Sequence, residues 1–209
     1  EAGITAVEDT DVSPLDSRLR LWKGDITTLA TDAIVNAANS GMTGCWAPLH
    51  YCIDNAIHTF AGIQLRYECA RIMIEQGCEE PTGQAKVTSA YNLPAKHVIH
   101  TVGPIANGEV NDKLEEQLAS SYRSCLDAAV AAGDKSIAFC CISTGVFGFP
   151  AEEAAEVAVG AVREWLDQHE AASESNDSES NGSHSTVPTV VFNVFLDSDE
   201  KIYKKLLGF

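Results

Sequence analysis

The sequence predicts an α/β sandwich around a largely buried sheet. Three observations lead there. Short apolar runs of strand length recur at 33–37, 136–142 and 190–196. Between them, apolar residues return at helical spacing. Gly, Pro and Asn punctuate the junctions. Strands alternating with helices imply layers of helices over a sheet.

In chain order, residues 1–17 read as a polar arm and Leu19-Arg20-Leu21-Trp22 as a short strand. Ala33-Ile34-Val35-Asn36-Ala37 has the composition of a buried strand with a polar end. Ile53, Ala56, Ile57, Phe60 and Ile63 open a helix that runs to a glycine stop at Gly77. Strands near 85–90 and 96–102 flank the turn signal Asn92-Leu93-Pro94. A helix over 112–132 stops at Gly133, and the strand 136–142 follows. Pro150 suits the first turn of a long helix reaching about Gln168. Residues 171–187, a Ser/Asn/Glu stretch, are too polar to bury a core and read as a disordered loop inside the domain. A strand over 190–196 and a helix over 199–207 close one domain spanning 18–209.

The chain carries 30 acidic against 14 basic residues, a formal charge of −16. Eight of the acids lie in 1–16 and 173–186; without them the body is still acidic. That excludes a nonspecific nucleic-acid surface, while leaving room for one anion held by backbone groups. No run approaches the roughly 18 apolar residues of a membrane span. Seven cysteines, an odd number in a chain long enough to need no disulfide frame, read as reduced thiols of a cytoplasmic or nuclear protein. Cys69, Cys78, Cys125, Cys140 and Cys141 sit among apolar residues and are expected to be buried.

Cys45, His50 and Cys52 stand apart, spaced C-x4-H-x-C within "GCWAPLHYCIDN". Three readings fit: a metal site, a Cys–His nucleophile pair, or burial. Zinc takes thiolate and imidazole ligands, and three protein ligands leave a position open for chemistry. A nucleophile pair leaves Cys52 without a role. Ligands of such folds collect beyond the carboxyl ends of strands, where Asp25-Ile26, Asn36–Ser40, the cysteine loop and Ser143, Thr144, Gly145, Val146, Phe147 and Gly148 are expected. The last of these runs into a helix N-terminus, a setting in which backbone amides can face a phosphate.

The successive segments "KGDIT", "DAIVNAANS", "DNAIHTFAG", "PTGQAKVTSAYNLPAKHVIHTVGP" and "STGVFGFP" resemble the signatures of a macrodomain. The resemblance covers about 19–170 and, more loosely, the final strand and helix. It implies a three-layer α/β/α fold with a mixed, roughly six-stranded sheet and a cleft for ADP-ribose. Where most macrodomains carry a glycine-rich loop, this chain has "GCWAPLHYCID". That substitution resembles the zinc-dependent branch of microbial mono-ADP-ribosyl hydrolases. The resemblance implies Zn2+ on Cys45, His50 and Cys52, and adenine against Asp25 and Ile26. It also implies the pyrophosphate along Ser143–Gly148, with Phe147 by the distal ribose, and Asn39 and Asp54 as catalytic residues at that ribose. The expected activity is removal of mono-ADP-ribose from protein side chains by a monomer, without nucleic-acid or membrane partners. An ADP-ribose reader, or a hydrolase of a small derivative such as O-acetyl-ADP-ribose, are the alternatives. His58 and His100 are expected to be satisfied core histidines.

Overall fold

The computed structural model describes residues 3–176 and 187–209. Nine strands occur among them: β1 Thr5–Ala6, β2 Asp11–Val12, β3 Leu19–Lys23, β4 Leu29–Ala30, β5 Ala33–Ala37, β6 Ala85–Ser89, β7 His97–Thr101, β8 Ser136–Phe139 and β9 Thr189–Val194. Seven form a mixed sheet in the order β2-β3-β9-β8-β5-β7-β6. The five inner strands are parallel, and β2 and β6 pair antiparallel at the edges. Ala33, Ile34 and Val35 of β5, Ile137 and Ala138 of β8, and Val190 and Val191 of β9 are buried, as parallel strands covered on both faces must be.

Among the described residues five α-helices flank the sheet: α1 Ile53–Ala61, α2 Ile63–Gln76, α3 Asp112–Ala132, α4 Ala151–Asn176 and α5 Asp197–Leu207. Helices α1 and α2 pack together beside β5 and β6, and α3, α4 and α5 form a second group. The layers are the α/β/α sandwich the sequence predicts. Caps set the ends. Asn111 accepts from the Leu114 N–H to open α3, and Gly133 closes it in the left-handed region at φ 79°.

The sheet has seven strands where roughly six were expected. The additional one, β2, lies in the stretch read as a polar arm. Two residues are too few for an alternation signal, but Asp11 and Val12 pair with Leu21 and Arg20 of β3. The arm is docked elsewhere too: Arg20 Nη1 donates to the carbonyls of Val7 and Thr10, and Ser13 Oγ to that of Leu207. The helix expected from Ile53 to Gly77 is two helices, broken at Gly62 with φ 96°. Helix α4 runs on to Asn176, so 171–176 are helical; of the rest of the expected loop, 177–186 lie outside the described residues and Val187 is described. Cys78 is exposed rather than buried, because it falls just past the end of α2, and Cys141, just past β8, is half-buried; Cys69, Cys125 and Cys140 are in the core.

Candidate functional site

The parallel strands all end on one edge, and the segments leaving that edge build the site. A cleft of about 540 Å³ opens there, within the range of a small-ligand pocket. Gly24, Asp25 and Ile26 after β3 line one side, residues 49–53 another, and Asn193 and Phe195 at the end of β9 a third. His50 and Cys52 therefore share a cavity with Asp25 and Ile26.

Asp25 combines a local role with an open face. Its Oδ1 accepts from the Thr27 N–H at 3.0 Å and the Thr27 hydroxyl at 2.7 Å, which caps the turn after β3. The carboxylate is exposed at the cleft, and Oδ2 takes no bond among the described residues. Asn193 Nδ2 donates to the Gly24 carbonyl at 2.9 Å and holds that turn in place.

The three candidate metal ligands converge. One donor atom from each of Cys45, His50 and Cys52 lies within 4.8 Å of the others, and Cys45 Sγ is 3.4 Å from His50 Nδ1. Both ends of the loop are tied down. On the Cys45 side, Arg66 Nη1 donates to the Thr43 carbonyl at 2.5 Å, and its guanidinium lies 4.3 Å from the Trp46 ring centroid. On the other side, Cys52 caps α1, taking the Asn55 N–H on its sulfur, and Asn55 Nδ2 donates to the His50 carbonyl. Burial pushes the Cys52 thiol up, with the neighbouring Cys45 and Asp54 adding to it against the Asn55 N–H. Such a thiol is a poor free nucleophile until a cation displaces its proton.

Asp54 sits in the first turn of α1, almost wholly buried. Its Oδ1 accepts from Asn36 Nδ2 at 2.8 Å and its Oδ2 from Asn39 Nδ2 at 3.3 Å. Burial pushes its carboxyl up, opposed by the Asn36 hydrogen bond and the Arg66 charge. Asn39 also donates to the Gly44 carbonyl at 3.3 Å, so one amide links Asp54 to the start of the cysteine loop.

The 143–148 loop is not part of this cavity's wall. It is braced from behind: Ala106 and Asn107 donate to the Phe147 carbonyl, and Gly108 to that of Gly148. Within the loop, Gly148 bonds back to Gly145 and Phe149 to Ser143, while the amides of Thr144, Gly145, Val146 and Phe147 have no backbone acceptor among the described residues. Ser143 is buried at φ 66°, and its Oγ has no partner. That is backbone strain of the kind found at ligand clamps. Gly103 lies close against Ser143: a Cβ there would crowd Ser143 Oγ and Ile142 Cγ2. Phe147 is half-buried.

The two core histidines differ from each other. His100 is bonded through both ring nitrogens. His58 is not satisfied as expected: neither nitrogen has a hydrogen bond, and Nε2 only comes within 3.5 Å of Asp54 Oδ1. Burial lowers His58 to about 4, with the Arg66 charge adding to it, and burial lowers His100 to about 3. Both are thus neutral in the folded protein near pH 7, whereas the unfolded chain protonates them below about 6.5. Stability should therefore be full above pH 6.5 and decline as pH falls towards 4, by roughly 3 kcal/mol from His58 alone. Asp54, with its raised pKa, acts in the opposite sense and softens the decline. Urea titrations of the wild type and His58→Phe between pH 7.5 and 4.5 should give a shallower slope for the variant; equal slopes would contradict the assignment.

The sequence singled out Asp25, Asn39, Asp54, the cysteine loop and the 143–148 loop, and all lie at one edge of the sheet. It missed Asn193 and Phe195, whose signal was only their place at the end of a buried strand. It also missed Arg66, which nothing in α2 distinguishes from a surface cation.

The three-layer α/β/α sandwich with a cleft at the carboxyl ends of its parallel strands has the ligand site expected of an open α/β sheet. The Macro domain profile matches residues 35–158, and the chain belongs to the macrodomain family. A protein-ADP-ribose hydrolase of Treponema medium is 55% identical over 99% of this chain and 74% of its own length. One from Staphylococcus aureus strain MRSA252 is 49% identical over 93% of this chain and 68% of its own. Among solved structures, the Trypanosoma brucei macrodomain in complex with ADP-ribose superposes with a TM-score of 0.79 at 33% identity, covering 100% of this chain and 78% of that one. The Oceanobacillus iheyensis macrodomain with ADP gives 0.76 at 35%, covering 91% and 90%.

Proposed function

We propose that this macrodomain is a zinc-dependent hydrolase that removes mono-ADP-ribose from modified protein side chains and releases ADP-ribose. One observation carries the reading: His50 and Cys52, clustered with Cys45, line the same cleft as Asp25 and Ile26. A purely structural metal site would have no reason to face a nucleotide cleft. The hydrolase relatives support the activity.

The donor set fits zinc. A tetrahedral site puts sulfur and nitrogen ligands about 3.6 Å apart, against 3.4 Å between Cys45 Sγ and His50 Nδ1. Cys45, His50 and Cys52 would hold the ion, which when bound supplies a Lewis acid beside the reacting ribose. The other roles belong to side chains and backbone. Asp25 Oδ2 accepts from the adenine amino group, and Ile26 packs against the base. The amides at 144–147 receive the pyrophosphate, aided by the α4 dipole. Asn39 orients the distal ribose. Asp54 Oδ2, which has only one long bond, takes the proton of the attacking water. Its raised pKa makes it a stronger base than an exposed carboxylate.

Asp25→Ala should weaken ADP-ribose binding by about 1–3 kcal/mol, as expected for losing a charge-assisted hydrogen bond far from the bond that breaks. Turnover at saturation should change little. Calorimetry and a rate assay check the split; unchanged affinity would remove Asp25 from the adenine site.

Substrate panels test the function itself. Mono-ADP-ribosylated protein should be cleaved faster than O-acetyl-ADP-ribose. Binding of ADP-ribose with no cleavage of either would make the protein a reader.

A further inference from the structure

We propose that Asn36, His100 and Thr88 form a directional hydrogen-bond chain that positions the Asp54 carboxylate, with His100 held as the Nε2–H tautomer. The inference rests on the hydrolase reading and adds three positioning residues to it.

Sheet register builds the chain. Asn36 of β5 lies directly opposite His100 of β7, and β6 flanks β7 on its far side, bringing in Thr88. All three residues are buried. Asn36 Nδ2 lies 2.8 Å from Asp54 Oδ1 and 3.0 Å from His100 Nδ1. An amide nitrogen offers two hydrogens and no lone pair for accepting, so both neighbours must be acceptors. The reverse amide orientation would set Oδ1 against a carboxylate oxygen. His100 Nδ1 is therefore unprotonated, and the neutral ring carries its hydrogen on Nε2. That hydrogen points to Thr88 Oγ1 at 2.9 Å, and the Thr88 hydroxyl donates to the Val98 carbonyl at 3.3 Å. Every donor along the line meets an acceptor, and the line ends on rigid β-backbone.

The chain fixes both the position of Asp54 Oδ1 and the side from which it is approached. Asn36 cannot rotate without losing His100, and His100 cannot flip without losing Thr88. The carboxylate is then held from within the sheet while Oδ2 faces Asn39. A catalytic group moved by even 1 Å can lose two orders of magnitude in rate, so this support belongs to catalysis as well as to the core. The cost appears in the same place. Asn36 Oδ1 is buried without a partner, an expense a purely structural core would shed by replacing the pair with apolar residues.

A competing reading exists for the same imidazole. His58, Cys69 and His100 place one ligand atom each within 4.8 Å of one another, as in a metal cage. Both His100 nitrogens are already engaged, and burial pushes the Cys69 thiol up to about 12. A metal there would break the chain.

The test uses the full chain. Nitrogen-15 NMR of histidine-labelled protein should show His100 as the neutral Nε2–H tautomer; the Nδ1–H tautomer would overturn the chain. His100→Leu should lower kcat by at least ~10-fold while ADP-ribose affinity stays within ~3-fold. His100→Asn, which restores an acceptor at the δ position, should recover most of that rate. Thr88→Val, nearly isosteric, should lower kcat about 3-fold and supplies the answer should His100→Leu fail to fold. An active wild type whose His100→Leu and Thr88→Val variants keep full kcat would defeat the inference and leave the hydrolase reading standing. An inactive wild type would defeat both. Metal bound by Cys45→Ser protein and lost in Cys69→Ser would favour the cage and also overturn the chain.

Discussion

His50→Ala is expected to reduce turnover on mono-ADP-ribosylated protein by ~100-fold or more while ADP-ribose still binds. Partners one step removed from a bound metal already cost 10–100-fold when lost, and in the proposed site His50 would supply a ligand atom itself. The split follows from where the residue stands. Only interactions stronger in the transition state than in the ground state raise the chemical rate. Asp25 and the 143–148 loop, to which the proposed reading gives the rest of the nucleotide, are untouched. The loop should keep its path, because Arg66 holds the Thr43 carbonyl and Asn55 holds the His50 carbonyl through backbone oxygens that alanine retains. Rate assays and calorimetry on one preparation check the pattern. Equal losses of binding and turnover would point to a collapsed loop instead of a lost ligand.

Asp54→Asn should cost ~10²–10⁴-fold in kcat, the usual contribution of a positioned acid or base. The substitution keeps shape and volume but removes basicity. It also presents an amide nitrogen to Asn36 or Asn39, which both donate to the native carboxylate. Asp54 is nearly buried and lifted in pKa, so losing its charge offsets the hydrogen bond lost to the amide nitrogen, and thermal stability should stay close to that of the wild type. A variant that keeps its rate would make Asp54 a helix-terminal carboxylate with no part in the chemistry.

What the sequence displayed and what it hid divide along contact distance. Strand β5 and helix α3 were legible because their signals, an apolar run and a 21-residue amphipathic pattern ending in glycine, are local. Cys45, His50 and Cys52 were legible because all three lie within eight positions. Strands β1, β2 and β4 were not, since two residues have no periodicity and exist only through their partners. The break at Gly62 was hidden because apolar spacing continues across it to Ile63. The Asn36–His100–Thr88 line could not be read at all: 64 residues separate the first pair, and only strand register brings them together. His58 was mistaken for a satisfied histidine because an apolar sequence context tells nothing of hydrogen-bond partners.

The most direct test of the central claim is release of free ADP-ribose from a mono-ADP-ribosylated protein, followed on one preparation as purified, after chelation, and after return of zinc. The account predicts about one zinc per chain, release as purified, loss on chelation, recovery with zinc, and no recovery in Cys45→Ser. Release that continues unchanged in metal-free protein would contradict it.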